Sequence, residues 1–174
     1  KITTAAIIGG GVIGGGWSAR LMENGIDVRV FDPAGDAKVK LDAVLANAEQ
    51  AFASLTSVRS TNKGTISWHD SAAEAASGAQ LIIESVPERP DIKRAVYAEI
   101  ETTAASDAVI TSSTSGIMPS ELQAEMAHPE RLMVAHPFNP VYLLPLVELV
   151  AGNKTDPKYI EWGKEFFATI GMHP

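Results

Sequence analysis

An apolar run that breaks into Gly9-Gly10-Gly11-Val12-Ile13-Gly14-Gly15-Gly16-Trp17 constrains this chain more than any other stretch. Gly9, Gly11 and Gly14 fit the spacing G-x-G-x-x-G. Gly9 permits a tight turn, Gly11 lets a pyrophosphate approach the backbone, and Gly14 lets a helix pack close to a sheet. The helix that follows, with Val12 and Ile13 in its first turn, offers N–H groups and a partial positive charge to an anion. Such a loop alone is a weak signal. Here a strand precedes it, a helix follows it, and Asp32 ends a second apolar run 18 residues after Gly14. Asp32 suits the hydroxyls of an adenosine ribose and would repel a ribose phosphate. Pro33-Ala34-Gly35 offers no Arg or Lys to hold such a phosphate, so NAD is expected in preference to NADP. FAD or a methyl donor are lesser alternatives. A ligand-free glycine-rich turn is disfavoured, because Gly15 and Gly16 inside a helix each cost ~1 kcal/mol against Ala without evident return.

Apolar strand-like runs alternate with helical patterns along the rest of the chain, which predicts an α/β, Rossmann-type doubly wound sheet, mostly parallel, with helices on both faces. Strands are expected near 5–9, 27–32, 65–68, 80–86 and 108–111, and around His136 and Glu148. Helices are expected over 12–23, 36–55, 71–76 and 91–104, from Ser120, and from Asp156-Pro157, an N-cap followed by Pro at the first helical position. On the helix from Asp91, Ile92, Val96 and Ile100 recur at spacing four. Ser120 and Gln123 are spaced as a capping box. Residues 1–174 read as one domain, without repeat or linker, cut from a longer protein, since the last helix should lead into another strand.

His136, in Ala-His-Pro-Phe-Asn-Pro, closes one apolar run, and Glu148 sits inside the next, Leu-Val-Glu-Leu-Val. Pro137, Pro140 and Pro145 stiffen the link. A strand, a rigid loop and a returning strand can bring imidazole and carboxylate together; the carboxylate then orients the ring and leaves its other nitrogen as a base. A lone strand-end His is more often a backbone-bonded structural residue. The Glu148 partner and the Pro-flanked Asn139 shift the balance to catalysis. In a doubly wound sheet ligands lie beyond the carboxyl ends of the strands. His136, the hydroxyl run Ser112-Ser113-Thr114-Ser115 and Pro87-Glu88 should therefore open on the same edge as the glycine loop.

Composition narrows the partners. A net charge of −7 argues against nucleic acid or an anionic membrane surface. With no cysteine, disulfides, thiolate catalysis and Cys-based metal sites are excluded, and no metal site is expected. No apolar run approaches a membrane span, and no signal peptide is visible, so a cytoplasmic location is expected. No Tyr is followed four residues on by Lys, which excludes short-chain dehydrogenase chemistry.

The ordered strings IIGGGVIGGG, VFDP, TSSTSG, AHPFNP and PLVELV resemble the 3-hydroxyacyl-CoA dehydrogenase family over essentially the whole chain, as that family's N-terminal NAD-binding domain. The resemblance implies His136 as general base, Glu148 as its orienting partner, Ser115 as hydrogen-bond donor to the substrate oxygen and Asn139 as a positioning group. It also implies roles near the cofactor for Glu88 and Lys93; alone, Lys93 reads as a solvated helix residue. A position usually filled by Asn in that family is Ser113 here, which puts that cofactor contact in question. The family carries a C-terminal all-helical domain, with a further catalytic Asn and most of the dimer contacts, that this chain lacks; a homodimer is implied for the full-length protein. The strings HPFNPVYLLPLVEL and ESVPERPDIKRAVYAEIE are similar to the branch that oxidises the 3-hydroxyl of L-carnitine. Phe138 and Tyr142 agree with it, since aromatic faces hold trimethylammonium groups. The alternatives are an acyl-CoA or sugar-acid substrate, or a non-catalytic dinucleotide-binding module.

Overall fold

The computed structural model describes residues 1–55 and 62–174. In chain order the elements are β1 (Thr4–Ile8), α1 (Val12–Glu23), β2 (Asp27–Phe31), α2 (Ala37–Leu55), β3 (Ile66–Trp68), α3 (Ala72–Ala76) and β4 (Leu81–Glu84). There follow α4 (Pro90–Ile100), β5 (Val109–Ser112), α5 (Pro119–Leu122), β6 (Leu132–Pro137), β7 (Val147–Ala151) and α6 (Pro157–Thr169). The seven strands form one sheet in the order β3-β2-β1-β4-β5-β6-β7. All neighbouring pairs are parallel except β6 and β7. The expected doubly wound α/β architecture is present, with its topological switch between β1 and β4.

Strand alternation builds two cores. Ala5, Ile7, Val28, Val30, Leu81 and Ile83 point to the face covered by α1, α2 and α6, where they meet Trp17, Leu21, Leu41 and Phe167. Ala6, Ile8, Ile82 and Ile110 point to the other face, against α3, α4 and α5. A strand buried on both faces needs an unbroken apolar run, which is why β1 and β4 are legible in the sequence.

Helix ends follow their local chemistry. Asn24 closes α1, its side chain donating to the Arg20 carbonyl, and Gly25 follows at φ +76°. Asp156 caps α6 by accepting from the Lys158 amide, with Pro157 in the first turn. The capping box at Ser120 does not form. The helix starts one residue earlier, at Pro119, and lasts four residues. Gln123 is fully buried, and its side-chain nitrogen donates to Pro129 O at 2.8 Å and Thr155 Oγ1 at 2.9 Å. With its nitrogen held by these acceptors and its oxygen facing the Lys154 amide, that side chain is not available to the helix start.

The buried face of α4 is partly polar. Its buried residues are Lys93, Tyr97 and Ile100, while Val96 is half-buried against the same core and, with Ile92, lines a surface cleft. The cause lies beneath it in β4, where Glu84 is completely buried and needs polar partners. After α6, His173 bridges Leu146 in parallel, so the chain does lead from the helix into another strand position.

Candidate active site

The loops that follow β1, β2, β4, β5 and β6 all open on one edge of the sheet. Gly9 has φ +104°, and a Cβ there would lie 2.5 Å from Ser85 O. A Cβ on Gly14 would lie 1.8 Å from Gly9 O, so α1 can start under the loop only with glycine there. Nothing lies within 4 Å of a Cβ built on Gly11, and that residue caps α1 without a side-chain hydrogen bond. Backbone N–H groups around Val12 and Ile13 therefore face an open approach, as an anion at a helix N-terminus requires. Gly15 and Gly16 have a return of their own. Cβ atoms there would lie 3.0 Å from Val44 and 2.8 Å from Val141, so both are needed for packing whether or not a ligand binds. Their cost is no evidence for one.

Asp32 lies just past β2. Its carboxylate accepts from the amides of Gly10, at 2.7 Å, and Ala34, at 2.9 Å, which ties it to the glycine loop. A carboxylate has room for further donors, so this arrangement fits a ribose diol. Next to it a cleft of about 500 Å³ is walled by Ile8, Phe31, Pro33, Ile92 and Val96. An apolar slot beside a carboxylate and a glycine turn fits the adenosine half of NAD.

From Ser85 and Val86 the cleft continues into a smaller cavity, about 210 Å³, lined by Ile13, Glu88, Lys93, Ser113 and Ser115. Through Ser115 it joins a third, about 160 Å³, whose walls include Thr114, Met118, His136 and Glu148. Sharing these residues, the three adjoin one another in a row, the groove, from Asp32 to His136. A hollow of about 530 Å³ between Lys1, Asn24 and Trp162 lies at the amino ends of β1 and β2, on the far side from this chemistry.

At the end of the groove, His136 and Glu148 are direct partners in the β6–β7 register. His136 Nδ1 lies 2.9 Å from Glu148 Oε2. That contact favours the tautomer with its proton on Nδ1, leaving Nε2 as an acceptor. The Glu148 side chain is 60% exposed and that of His136 28%, so the attraction is screened here. The Phe138 ring stands 5.4 Å from the imidazole, tilted by 56°. Asn139 is exposed in the following loop. Tyr142 is turned edge-on to Phe52 of α2, at 6.3 Å, and neither it nor Phe138 is among the residues that wall the His136 cavity.

The Ser-Thr-Ser loop is held from below. Glu88 Oε1 accepts from the Thr114 hydroxyl and from the amides of Ser115, at 3.1 Å, and Gly116, at 3.2 Å. Partial burial opposes ionisation of Glu88, but the Thr114 hydroxyl, the Lys93 charge and the Gly116 amide together hold its carboxyl below the usual carboxylate range. Lys93 is not a solvated helix residue. It is 1% exposed, bonded to Glu84 at 2.6 Å and close to Glu88 at 3.4 Å. Glu84 is further satisfied by the Tyr97 hydroxyl at 2.7 Å, the Ser112 hydroxyl at 2.6 Å and the Val86 amide at 2.9 Å. Burial, and after it the Glu84 charge, drives the Tyr97 phenol well above its ordinary value, so it stays a donor. Sequence reasoning passed over Glu84. Its signal was a carboxylate closing the apolar run Leu-Ile-Ile-Glu, which is stable only when partnered.

A family model, 3-hydroxyacyl-CoA dehydrogenase, NAD binding domain, matches residues 4–174. The chain is 55% identical to the L-carnitine dehydrogenase/betainyl-CoA thioesterase of Rhizobium meliloti (strain 1021), over 98% of this chain and 34% of that protein. It is 51% identical to the L-carnitine dehydrogenase of Mesorhizobium japonicum, over 99% of this chain and 48% of that one. It thus spans about a third to a half of the length of these relatives. Among solved structures, an NAD+-dependent 5-formyl-3-hydroxy-2-methylpyridine 4-carboxylic acid 5-dehydrogenase superposes with TM-score 0.93 and 36% identity, over all of this chain and 57% of that one. The 3-hydroxybutyryl-CoA dehydrogenase of Escherichia coli K12 gives TM-score 0.87 and 25% identity, over all of this chain and 38% of that one. The glycine turn, the Asp32 cleft and these matches agree: the chain belongs to the 3-hydroxyacyl-CoA dehydrogenase family, as its NAD-binding domain.

Proposed function

We propose that the complete protein is an NAD-dependent dehydrogenase that oxidises the 3-hydroxyl of L-carnitine to 3-dehydrocarnitine. The observation that carries the chemistry is the 2.9 Å contact between His136 and Glu148 at the end of the groove that begins at Asp32. The substrate is supported by relatives of that name at 51–55% identity. In this reading Gly9, Gly11, Val12, Ile13, Gly14 and Asp32 hold the adenosine and pyrophosphate. Ser113, Glu88 and Lys93 border the other half of the cofactor. NAD, when bound, supplies the hydride acceptor.

The chain's own groups do the rest. His136 takes the hydroxyl proton on Nε2 as the C3 hydrogen departs with its electron pair and the C–O bond becomes a carbonyl. Glu148 stabilises the imidazolium that forms. Ser115 donates to the reacting oxygen, and Asn139 positions it. Phe138 is the aromatic face nearest the imidazole and the first candidate for the trimethylammonium contact; Tyr142 is the second, by way of the 137–145 loop. The wall of this cavity carries exposed Met118 and Val150. The family's helical second domain covers this face in our reading, so turnover belongs to the full-length, cytoplasmic homodimer rather than to this domain.

The test is NADH formation by the complete protein with L-carnitine and with L-3-hydroxybutyryl-CoA at matched concentrations. Turnover of carnitine is expected. Turnover of the CoA ester alone would move the substrate to the acyl-CoA branch. His136→Gln should lower kcat by at least about a thousandfold, within the range of positioned acid–base catalysis, and leave NAD affinity nearly intact. Near-normal turnover in that variant would remove the mechanism and leave a dinucleotide-binding module.

A further inference from the structure

Trp17, Ser113 and Ser85 are joined side chain to side chain across three elements. Trp17, in α1, is fully buried against Phe167. Its indole N–H nevertheless points out of that core and donates to Ser113 Oγ at 3.1 Å. Ser113 Oγ lies 2.9 Å from Ser85 Oγ. Ser113 follows β5, Ser85 follows β4, and both line the middle of the groove.

Counting hydrogens shows what this arrangement offers. An indole N–H only donates, while each hydroxyl has one hydrogen and two lone pairs. Trp17 fills one lone pair of Ser113. One hydroxyl hydrogen is used between the two serines. The second has no other hydrogen-bond partner among the described residues, and both serines line the groove. The serine pair is thus a donor whose inner side is fixed by a group that cannot reverse its role. Acceptance from Trp17 also polarises the outward hydroxyl and strengthens it as a donor.

The position of this donor selects its ligand. The groove runs from the Asp32 cleft to His136, and this section is the last before the His136 cavity. Hydride is delivered at the His136 end, so the nicotinamide half of the cofactor must pass here. We propose that Ser85 and Ser113 together donate a hydrogen bond to an oxygen on the nicotinamide half of NAD, with Trp17 as the positioning residue that sets their direction. This rests on the NAD-dehydrogenase reading above, and it adds Ser85 to the cofactor contacts and a role for the indole nitrogen.

The experiment is calorimetric titration of the complete protein with NADH and with ADP-ribose, which lacks nicotinamide. Trp17→Phe keeps the ring and removes the N–H; Ser113→Ala removes the hydroxyl and is close to isosteric. Each should weaken NADH binding by about three- to tenfold, the worth of one hydrogen bond, and leave ADP-ribose within about twofold. The double variant should lose no more than either single one, because both act through one hydroxyl. Equal losses for NADH and ADP-ribose would make the contact structural and overturn the proposal, as would additive losses or unchanged NADH affinity in Ser113→Ala. If Trp17→Phe does not fold, Ser113→Ala and Ser85→Ala carry the same comparison. A wild-type protein that binds neither ligand would sink the NAD reading itself and this inference with it, whereas binding of both with unaffected variants would sink only the inference.

Discussion

At the residue scale, the groove places four carboxylates in different settings. Glu84 is buried and saturated, Glu88 is half-exposed and bound to a loop, Asp32 accepts two amides, and Glu148 faces both solvent and His136. Replacing Asp32 by Ala removes the tie to Gly10 and, in the proposed function, the partner of the ribose. NAD affinity should fall by about tenfold, the loss of one or two charge-assisted hydrogen bonds, and discrimination against NADP should relax. The ratio of NAD to NADP kinetic constants checks this, and an unchanged ratio would take Asp32 out of its assigned role. These residues differed in how far the sequence exposed them. Asp32 stood at a strand end at fixed spacing from the glycines. Glu84 and Lys93 are nine positions apart and meet only because α4 packs over β4.

At the element scale, α1 joins the glycine loop to the loop that follows β6. Its first turn carries the glycine loop, its second touches the loop after β6, and its third sends the buried Arg20 to the Val141 carbonyl at 2.9 Å and the Ile170 carbonyl at 3.2 Å. Gly16 is where helix and loop come closest, with Val141 2.8 Å from a built Cβ. Gly16→Ala should overpack this contact at a cost of about 1–3 kcal/mol and push the loop bearing Phe138 and Asn139. The expected signature in steady-state kinetics is a fall in kcat with NAD affinity little changed. Unaltered kcat would mean that the loop yields without moving the site. Helix periodicity located α1 and its end at Asn24, but could not say which of its glycines serve a ligand and which a neighbour. That distinction appears only when Val44 and Val141 are in place. The same limit holds for α4, where a spacing of four picked out Ile92, Val96 and Ile100, and the packed helix also buries Lys93 and Tyr97.

For the whole molecule, the buried Glu84–Lys93 pair ties α4 to β4. Lys93→Met would strand the Glu84 charge in the interior and should cost roughly 3–5 kcal/mol. Pairing it with Glu84→Gln should return much of that loss, which denaturant unfolding of the two variants measures. If Lys93→Met unfolds like the wild type, the pair is not a structural node. The sequence alone determined the sheet and its order of layers, because apolar runs, glycines and caps act over a few residues and leave periodic marks. It also marked His136 and Glu148, since two strands joined by a proline-stiffened loop must return on one another. What only the tertiary structure decided is who faces whom across elements: Glu84 beneath Lys93, Trp17 behind Ser113, Val141 against Gly16. Those contacts join residues far apart in the chain, and they are fixed by how helices rotate and seat on the sheet, which no local pattern records.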